Sequence, residues 1–317
     1  MEASMAVSMK TRSITGATEP NGGRAMRSAM VTVMGLCLFL IASTARAHDD
    51  RAGEGGLFDR SNLVAWCIVP FDGKKRGPED RAAMMEKLGL RKFAYDWRAQ
   101  HLPQFEDELA ALKKHGIELT AVWFPGSLDA DARFLLEKLR AHGIKTQLWV
   151  TGGGAPTKTE AERRNRVQAE ADRVRPIAEA AAAQGCQVAL YNHGGWFGEP
   201  ENQLAILDAL RMPNVGLVYN LHHGHEHLDR FPALLQAMKP HLLALNLNGM
   251  KRGGGAATGD KIVVLGQGDL DLSLLKTIRD SGWRGPVGIL NHTDEDAEVR
   301  LRANLNGLEK LKADLGP

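Results

Sequence analysis

The sequence predicts an α/β protein whose eight parallel strands close into a (β/α)8 barrel. Three observations carry that reading. From Leu63 onward, short apolar runs alternate with amphipathic helical segments. The runs are rich in Val, Leu and Ile and mostly lack polar alternation, as strands buried on both faces require. Eight such units fit in about 250 residues, the number and size of a closed barrel. An open doubly wound sheet also alternates strand and helix, but nothing in it calls for closure between first and last strands.

The strands read from the apolar runs are Leu63–Val69, Lys92–Tyr95, Glu118–Trp123, Lys145–Val150, Gln187–Tyr191, Val215–Tyr219, Leu242–Leu247 and Pro286–Leu290. Between them, "PEDRAAMMEKLG" opens a helix with Pro78 and stops at Gly89. "LPQFEDELAALKKHG" places Phe105, Leu109 and Leu112 on one helical face and ends at Gly116, and "DADARFLLEKLRAHG" ends at Gly143. A glycine after a basic last turn is a C-terminal stop, because glycine enters the left-handed conformation without strain. A longer alanine-rich helix is expected over Thr159–Gln184, and later ones over Glu201–Leu210, Leu228–Met238, Leu272–Asp280 and Glu295–Lys312. The glycine-rich stretch from Gly249 to Lys261 is an insertion after the seventh strand and reads as a cover loop.

The first 47 residues read as an export signal rather than as part of the fold. Arg24 and Arg27 precede an apolar run over Ala29–Ala42, and Ala45-Arg46-Ala47 is a small-x-small cleavage site, with translation starting at Met26. The run is short for a membrane span. Residues 48–61 form a short N-terminal segment, and 62–317 the barrel. Cleavage removes five basic and two acidic residues and leaves 35 bases against 36 acids. Nothing in such a balance points to a nucleic-acid stripe or a polybasic membrane surface. The expected product is an exported, periplasmic or secreted protein whose partner is a small molecule. Cys67 and Cys186 sit in or beside apolar runs and read as small buried residues.

Chemistry in such barrels sits at the C-terminal ends of the strands. Those ends read "PFD", "YDW", "VWFPG", "WVTGGG", "YNHGGW", "YNLHHGHEH", "NLNGM" and "NHTDED" in order. Histidines, asparagines and tryptophans distant in sequence are therefore expected on one face. Flat aromatic rings beside amides and imidazoles suit a carbohydrate, whose C–H face lies on a ring while its hydroxyls need donors and acceptors. Trp97 and Trp196, in loops, are the expected pocket walls. Trp66, Trp123 and Trp149 divide evenly between pocket and barrel filling. Asp96, Glu118 and Asp72 are the acids expected nearest the mouth, with Asp96 placed to bind a hydroxyl or orient a histidine.

With these segments in view, the chain resembles the xylose isomerase-like TIM barrel superfamily of sugar isomerases, epimerases and apurinic-site endonucleases. The resemblance runs from about Leu63 to Leu311. Its carriers are "GIELTAVWFPG", "QVALYNHGGW", "NVGLVYNLHHGHE", "LLALNLNGM" and "GQGDLDLSLLKTIRDSGWRGPVGIL", the last being the most specific. The resemblance implies one divalent metal, held by a glutamate after strand five, an aspartate after strand six, a histidine after strand seven and a glutamate after strand eight. Those places hold Tyr191, Asn220, Asn246 and Leu290 here, so none of the four ligands is retained. Neutral groups remove the anionic oxygen a hard cation needs. His193 and His223 match histidines of the family pattern, or stand close to its aspartate position.

Three readings of the histidine cluster stay open. His193, His222, His223, His225 and His292 form a relocated site for a late transition metal. Alternatively His193 and His223 move protons without a metal, since imidazole titrates near neutrality. Or His225 and His227 face water on the next helix while His222 is packed. The sequence reading assigns His193 and His223 to catalysis by proton transfer next to a carbonyl. It assigns Asp96, Trp97, Asn192, Trp196, Asn220, Asn246, Asn248, Asn291 and His292 to substrate binding. The expected activity is isomerisation, epimerisation or β-elimination of a sugar. The competing class is a non-catalytic sugar-binding barrel descended from an enzyme.

Overall fold

Strand follows strand around a complete ring. In the computed structural model, which describes residues 56–316, eight strands pair in chain order: β1 (Leu63–Trp66), β2 (Lys92–Tyr95), β3 (Glu118–Phe124), β4 (Gln147–Val150), β5 (Gln187–Tyr191), β6 (Val215–Asn220), β7 (Leu242–Leu247) and β8 (Val287–Leu290). Every pairing is parallel, and β1 pairs with β8 from Leu63↔Val287 to Trp66↔Leu290, which closes the barrel. The export signal and residues 48–55 lie outside the described residues. Among the described residues no helix is long and apolar enough to cross a membrane.

The outer ring is α1 (Pro78–Lys87), α2 (Phe105–Lys114), α3 (Ala130–Ala141), α4 (Glu160–Ala182), the single turn α5 (Gly195–Gly198), α6 (Pro200–Leu210), α7 (Phe231–Met238), α8 (Asp271–Asp280) and α9 (Ala297–Leu315). Local chemistry fixes their starts. Asp129 accepts from the Ala132 N–H at the head of α3. Thr159 and Glu162 satisfy each other's backbone N–H groups at the head of α4. A 3-10 stretch, His225–Arg230, takes the place of the first turn expected for α7, because Pro232 at the second position of α7 fits only an opening turn.

The expected first strand was too long. It ends at Trp66 because Cys67 turns left-handed, with φ of 59°, a conformation that breaks extended pairing. Residues 67–69 then continue as loop, with Cys67 in the barrel interior and Ile68 and Val69 packed between barrel and helices. The fourth strand begins at Gln147 rather than Lys145, and β3 and β6 each gain one residue.

Two apolar layers result. The larger lies between strands and helices. The inner one fills the barrel by pairing wide with narrow: Trp66, Trp149 and Tyr191 interlock above Ala94, Ala121, Ala189 and Ala244. Trp66 meets Trp149 edge to face at 4.7 Å and lies 6.0 Å from Trp123. Gly288 on β8 has no room for a side chain, since a Cβ there would lie 1.8 Å from Asn246 Oδ1 on the neighbouring strand β7. Cys67 and Cys186 are both buried and free, one in each layer.

Candidate functional site

Above the indole layer the strand ends enclose a cavity of about 30 Å³. Its floor is Trp66, Trp123 and Tyr191, and its walls carry Asp96, His193, His223 and His292. Phe71, from the loop after β1, covers one side: its ring stacks on His292 at 3.8 Å, and the Arg98 guanidinium stands 5.4 Å above it.

Each polar wall residue is delivered by a strand end. Asp96 follows β2 and is 1 % exposed; its Oδ1 accepts from the Val69 N–H at 3.1 Å, while its Oδ2 has no partner. Burial raises its carboxyl to about 6, against the opposing pull of the Val69 N–H, Arg98 and Arg81. His193 follows β5 and is exposed, yet its ring lies 4.6 Å from His223 and 5.4 Å from Trp123. His223 follows β6 and stacks at 3.9 Å on the buried His222, which is 5.1 Å from His292 after β8.

Crowded imidazoles beside cations resist protonation. Burial, with Lys261 and Arg98, lowers His193 below its ordinary value. Burial and the neighbouring His193 and Lys261 push His223 down to about 3, and burial with Arg98 and Lys261 takes His292 to about 4. His222 is lowered further still by burial. At neutral pH all four rings are therefore uncharged, each offering one donor and one acceptor nitrogen.

The asparagines form the frame behind this wall. Asn192 donates to the Asn220 carbonyl at 3.1 Å and accepts from the Asn220 N–H at 2.7 Å, which locks β5 to β6. Asn291 donates to the Phe71 carbonyl at 2.6 Å and so holds the covering loop. Asn248 donates to the Gly249 carbonyl at 2.8 Å. Several of their remaining atoms are buried without a partner: Asn248 Oδ1, Asn291 Oδ1 and both side-chain atoms of Asn246. Stranded buried polar atoms cost about 1–3 kcal/mol each, so their concentration at one barrel end marks a face built to receive polar groups.

The family's metal position does not fit a metal. Burial raises the Tyr191 phenol well above its ordinary value, so it offers no phenolate, and it accepts a hydrogen bond from Asn220 Nδ2 instead. Asn246 supplies an amide and Leu290 no donor at all. Neutral amides, a protonated phenol and a methyl-bearing chain do not replace the hydration shell of a hard dication. Among the described residues no group of three or more His, Cys, Asp or Glu stands in a metal-holding arrangement, so His193, His222, His223, His225 and His292 do not assemble as the relocated site.

Of the predicted site residues, the structure brings Asp96, His193, His223 and His292 to one cavity. Trp97 and Trp196, expected as its walls, are elsewhere. Trp97 is buried between barrel and helices with Nε1 on the Trp123 carbonyl. Trp196 is buried against Arg166 and donates to Thr157. Trp97 points away because its neighbour Asp96 on the extended chain faces inward, and Trp196 is carried off by the helical turn α5. Trp66 and Trp123 take the expected role. His227 does not face water: it is buried, 3.0 Å from the Tyr219 hydroxyl, with Glu199 beside it. His225 donates or accepts at the Lys261 carbonyl, 2.9 Å away. Glu118 opens β3 and so lies at the opposite barrel end, and Asp72 binds Arg76 and the Ala297 N–H. Phe71, Cys67 and Arg98 were missed. Their signal was position alone: Cys67 follows the last residue of β1, Phe71 precedes Asp72 in the loop after β1, and Arg98 follows Trp97.

Comparison with known proteins agrees with this architecture. The profile of the xylose isomerase-like TIM barrel family matches residues 82–311. No curated protein matches the sequence. Among solved structures, protein SMc04130 from Sinorhizobium meliloti is 16 % identical with a TM-score of 0.62, over 80 % of this chain and 99 % of that one. A probable 3-DHS dehydratase, AsbF, from Bacillus anthracis is 19 % identical with a TM-score of 0.60, over 78 % and 98 %. The 3-keto-D-glucoside 4-epimerase YcjR from E. coli is 16 % identical with a TM-score of 0.58, over 80 % and 99 %. At these identities the structures share the fold. Closed barrel, matching segments and family profile together establish that the chain belongs to the xylose isomerase-like TIM barrels.

Proposed function

We propose that the protein is an exported sugar-processing enzyme that moves a proton at a carbon next to a carbonyl, without a metal, in an isomerisation, epimerisation or β-elimination. The observation that carries the reading is Asp96: a buried carboxylate with one free oxygen, aimed into a cavity walled by three neutral imidazoles. A carboxyl raised to about 6 is matched to proton abstraction near neutrality. Asp96 Oδ2 takes the proton from the carbon. His193 and His223, 4.6 Å apart, donate hydrogen bonds to the oxygen on which charge develops, and the proton taken up by Asp96 goes back to a carbon or to the leaving group. The sequence reading gave both proton steps to the histidines; their lowered basicity suits them better to donation, and His292 with Phe71 to closing the site.

Size sets one requirement. Ligand pockets are ordinarily about 300–1,000 Å³, and the present cavity has one tenth of the lower bound. A sugar enters when Phe71 and the segment around Lys261 move outward, and their return excludes water. The dehydratase and epimerase among the structural neighbours support this class of reaction by fold analogy.

The test is proton exchange. Ketoses and keto-glycosides are incubated with the protein in D2O, and deuterium at the carbon beside the carbonyl is read by NMR. Exchange by the wild type that disappears in Asp96→Asn, and falls in His193→Ala and His223→Ala with the fold retained, supports the assignment. Exchange unaltered in all three rejects it. Sugar binding by calorimetry with no exchange and no product would favour the non-catalytic sugar-binding barrel, which the loss of the metal ligands also motivates. Mass spectrometry that finds a mature N-terminus at His48 supports export; an intact N-terminus in purified native protein rejects it.

A further inference from the structure

We propose that the ligand is an acidic sugar, an aldonic or uronic acid, whose carboxylate is gripped by the Arg98 guanidinium at the cavity wall, with the Lys261 ammonium of the insertion after β7 as the second cation. The sugar half of this statement rests on the functional reading above; the anion grip stands on separate observations.

Arg98 lines the cavity and has no carboxylate partner among the described residues. Its Nη1 donates to the carbonyls of Asp96 and Trp97 at 2.7 and 2.8 Å, and the ring of Phe71 supports its flat face. The group is thus held by one edge. The other edge, Nε with Nη2, has no partner among the described residues, and it is the edge that meets a carboxylate two-pronged.

Lys261 closes the insertion after β7. Its own carbonyl receives His225 Nε2 at 2.9 Å and Asn248 Nδ2 at 3.4 Å, and the next residue, Ile262, packs on the inner core. Backbone anchors therefore fix where the side chain starts, while its ammonium has no carboxylate partner among the described residues. The other insertion cations differ: Lys251 pairs with Asp260 at 3.1 Å and Arg252 with Asp229 at 3.5 Å.

The field of these two cations reaches the cavity walls. Lys261 acts on His193, His222, His223 and His292, and Arg98 on His193 and His292. Against them stands buried Asp96. Exposed Asp294 counts least among the groups acting on His292. Two cations without a carboxylate partner among the described residues, against one buried anion, leave room for one more negative charge. A hydroxyl cannot supply it; a carboxylate does.

The experiment compares charge at constant shape. Calorimetry at low salt measures binding of D-glucuronate, D-gluconate and D-glucose to wild type, Arg98→Gln and Lys261→Gln, each first shown to keep the wild-type melting temperature. In parallel, acetate, small enough for the closed cavity, is titrated while imidazole NMR signals are followed. Expected are at least tenfold tighter binding of the acids than of glucose, loss of that preference in either variant, and acetate-induced shifts that vanish in Arg98→Gln. Equal binding of acid and neutral sugar, or a preference that survives both substitutions, overturns the proposal. Acetate binding that depends on Arg98 with no sugar bound at all keeps the anion grip and sinks the sugar reading. No acetate shifts and no acid preference overturns the grip itself.

Discussion

The two ends of the barrel make opposite use of polar residues. At the N-terminal end, Lys92, Glu118, Lys145 and Gln187 surround a cavity of about 320 Å³, ten times the one at the C-terminal end. None of the residues lining that larger cavity has a buried side-chain atom left without a partner. At the C-terminal end Trp66, Asp96, His222, His225, Asn246, Asn248, Asn291 and Thr293 all do. Volume therefore does not mark the site. A solvated funnel costs the fold nothing, whereas stranded donors and acceptors reduce stability and persist where a ligand is to satisfy them.

The sharpest way to break this contrast is to neutralise one carboxylate at each end. Asp96→Asn should lower proton exchange by about 10²–10³-fold, the usual weight of a general base, with the melting temperature at neutral pH equal to or above that of the wild type. An exchange rate within twofold of wild type would equate the two ends. Next in size, Gly288→Ala forces a methyl onto Asn246 Oδ1, 1.8 Å away, and should cost about 1–3 kcal/mol in urea unfolding, the range for overpacked cores. A smaller effect is expected from acid. In the fold His223 and His292 are lowered to about 3 and about 4, so between pH 6.5 and 4 the unfolded chain binds more protons. The stability tied to them is complete above 6.5 and declines as pH falls. Asp96, raised to about 6, acts in reverse: its contribution is full below 3.8, fades as pH climbs through 6, and so offsets part of the acid loss. His292→Asn should flatten the acid limb by about 1 kcal/mol, or ~2–4 °C in melting temperature, and Asp96→Asn should steepen it. Smallest of all, Glu118→Gln at the N-terminal end should change stability by less than about 0.5 kcal/mol, as exposed surface changes do.

The barrel was legible because buried parallel strands leave uninterrupted apolar runs, and each of the eight runs became a strand. Ends were less so. No composition signal announces that Cys67 turns left-handed and cuts β1 short. The histidines and Asp96 were legible because strand ends converge whatever their sequence separation. The tryptophans were misjudged by counting loops as pocket: Trp97 turns outward because its neighbour Asp96 turns inward, and alternation along "YDW" carries that information. His227 looked solvated because its partners, Tyr219 and Glu199, come from other elements. Arg98 was passed over because a surface arginine has no distinguishing pattern until its neighbours are known.

Phe71 sits where the first and last strands meet. The loop that bears it is sewn to the loop after β8: Asn291 Nδ2 holds the Phe71 carbonyl, the Asn291 N–H the Trp66 carbonyl, the Gly73 N–H the Glu295 carbonyl, and Asp72 the Ala297 N–H. The door of the chamber thus hangs on the seam of the ring. If the proposed sugar is bound beneath Phe71, loosening that seam by fraying of the N-terminal strand would release it before the remaining strands part, so its dwell time and the integrity of the closure would become one property.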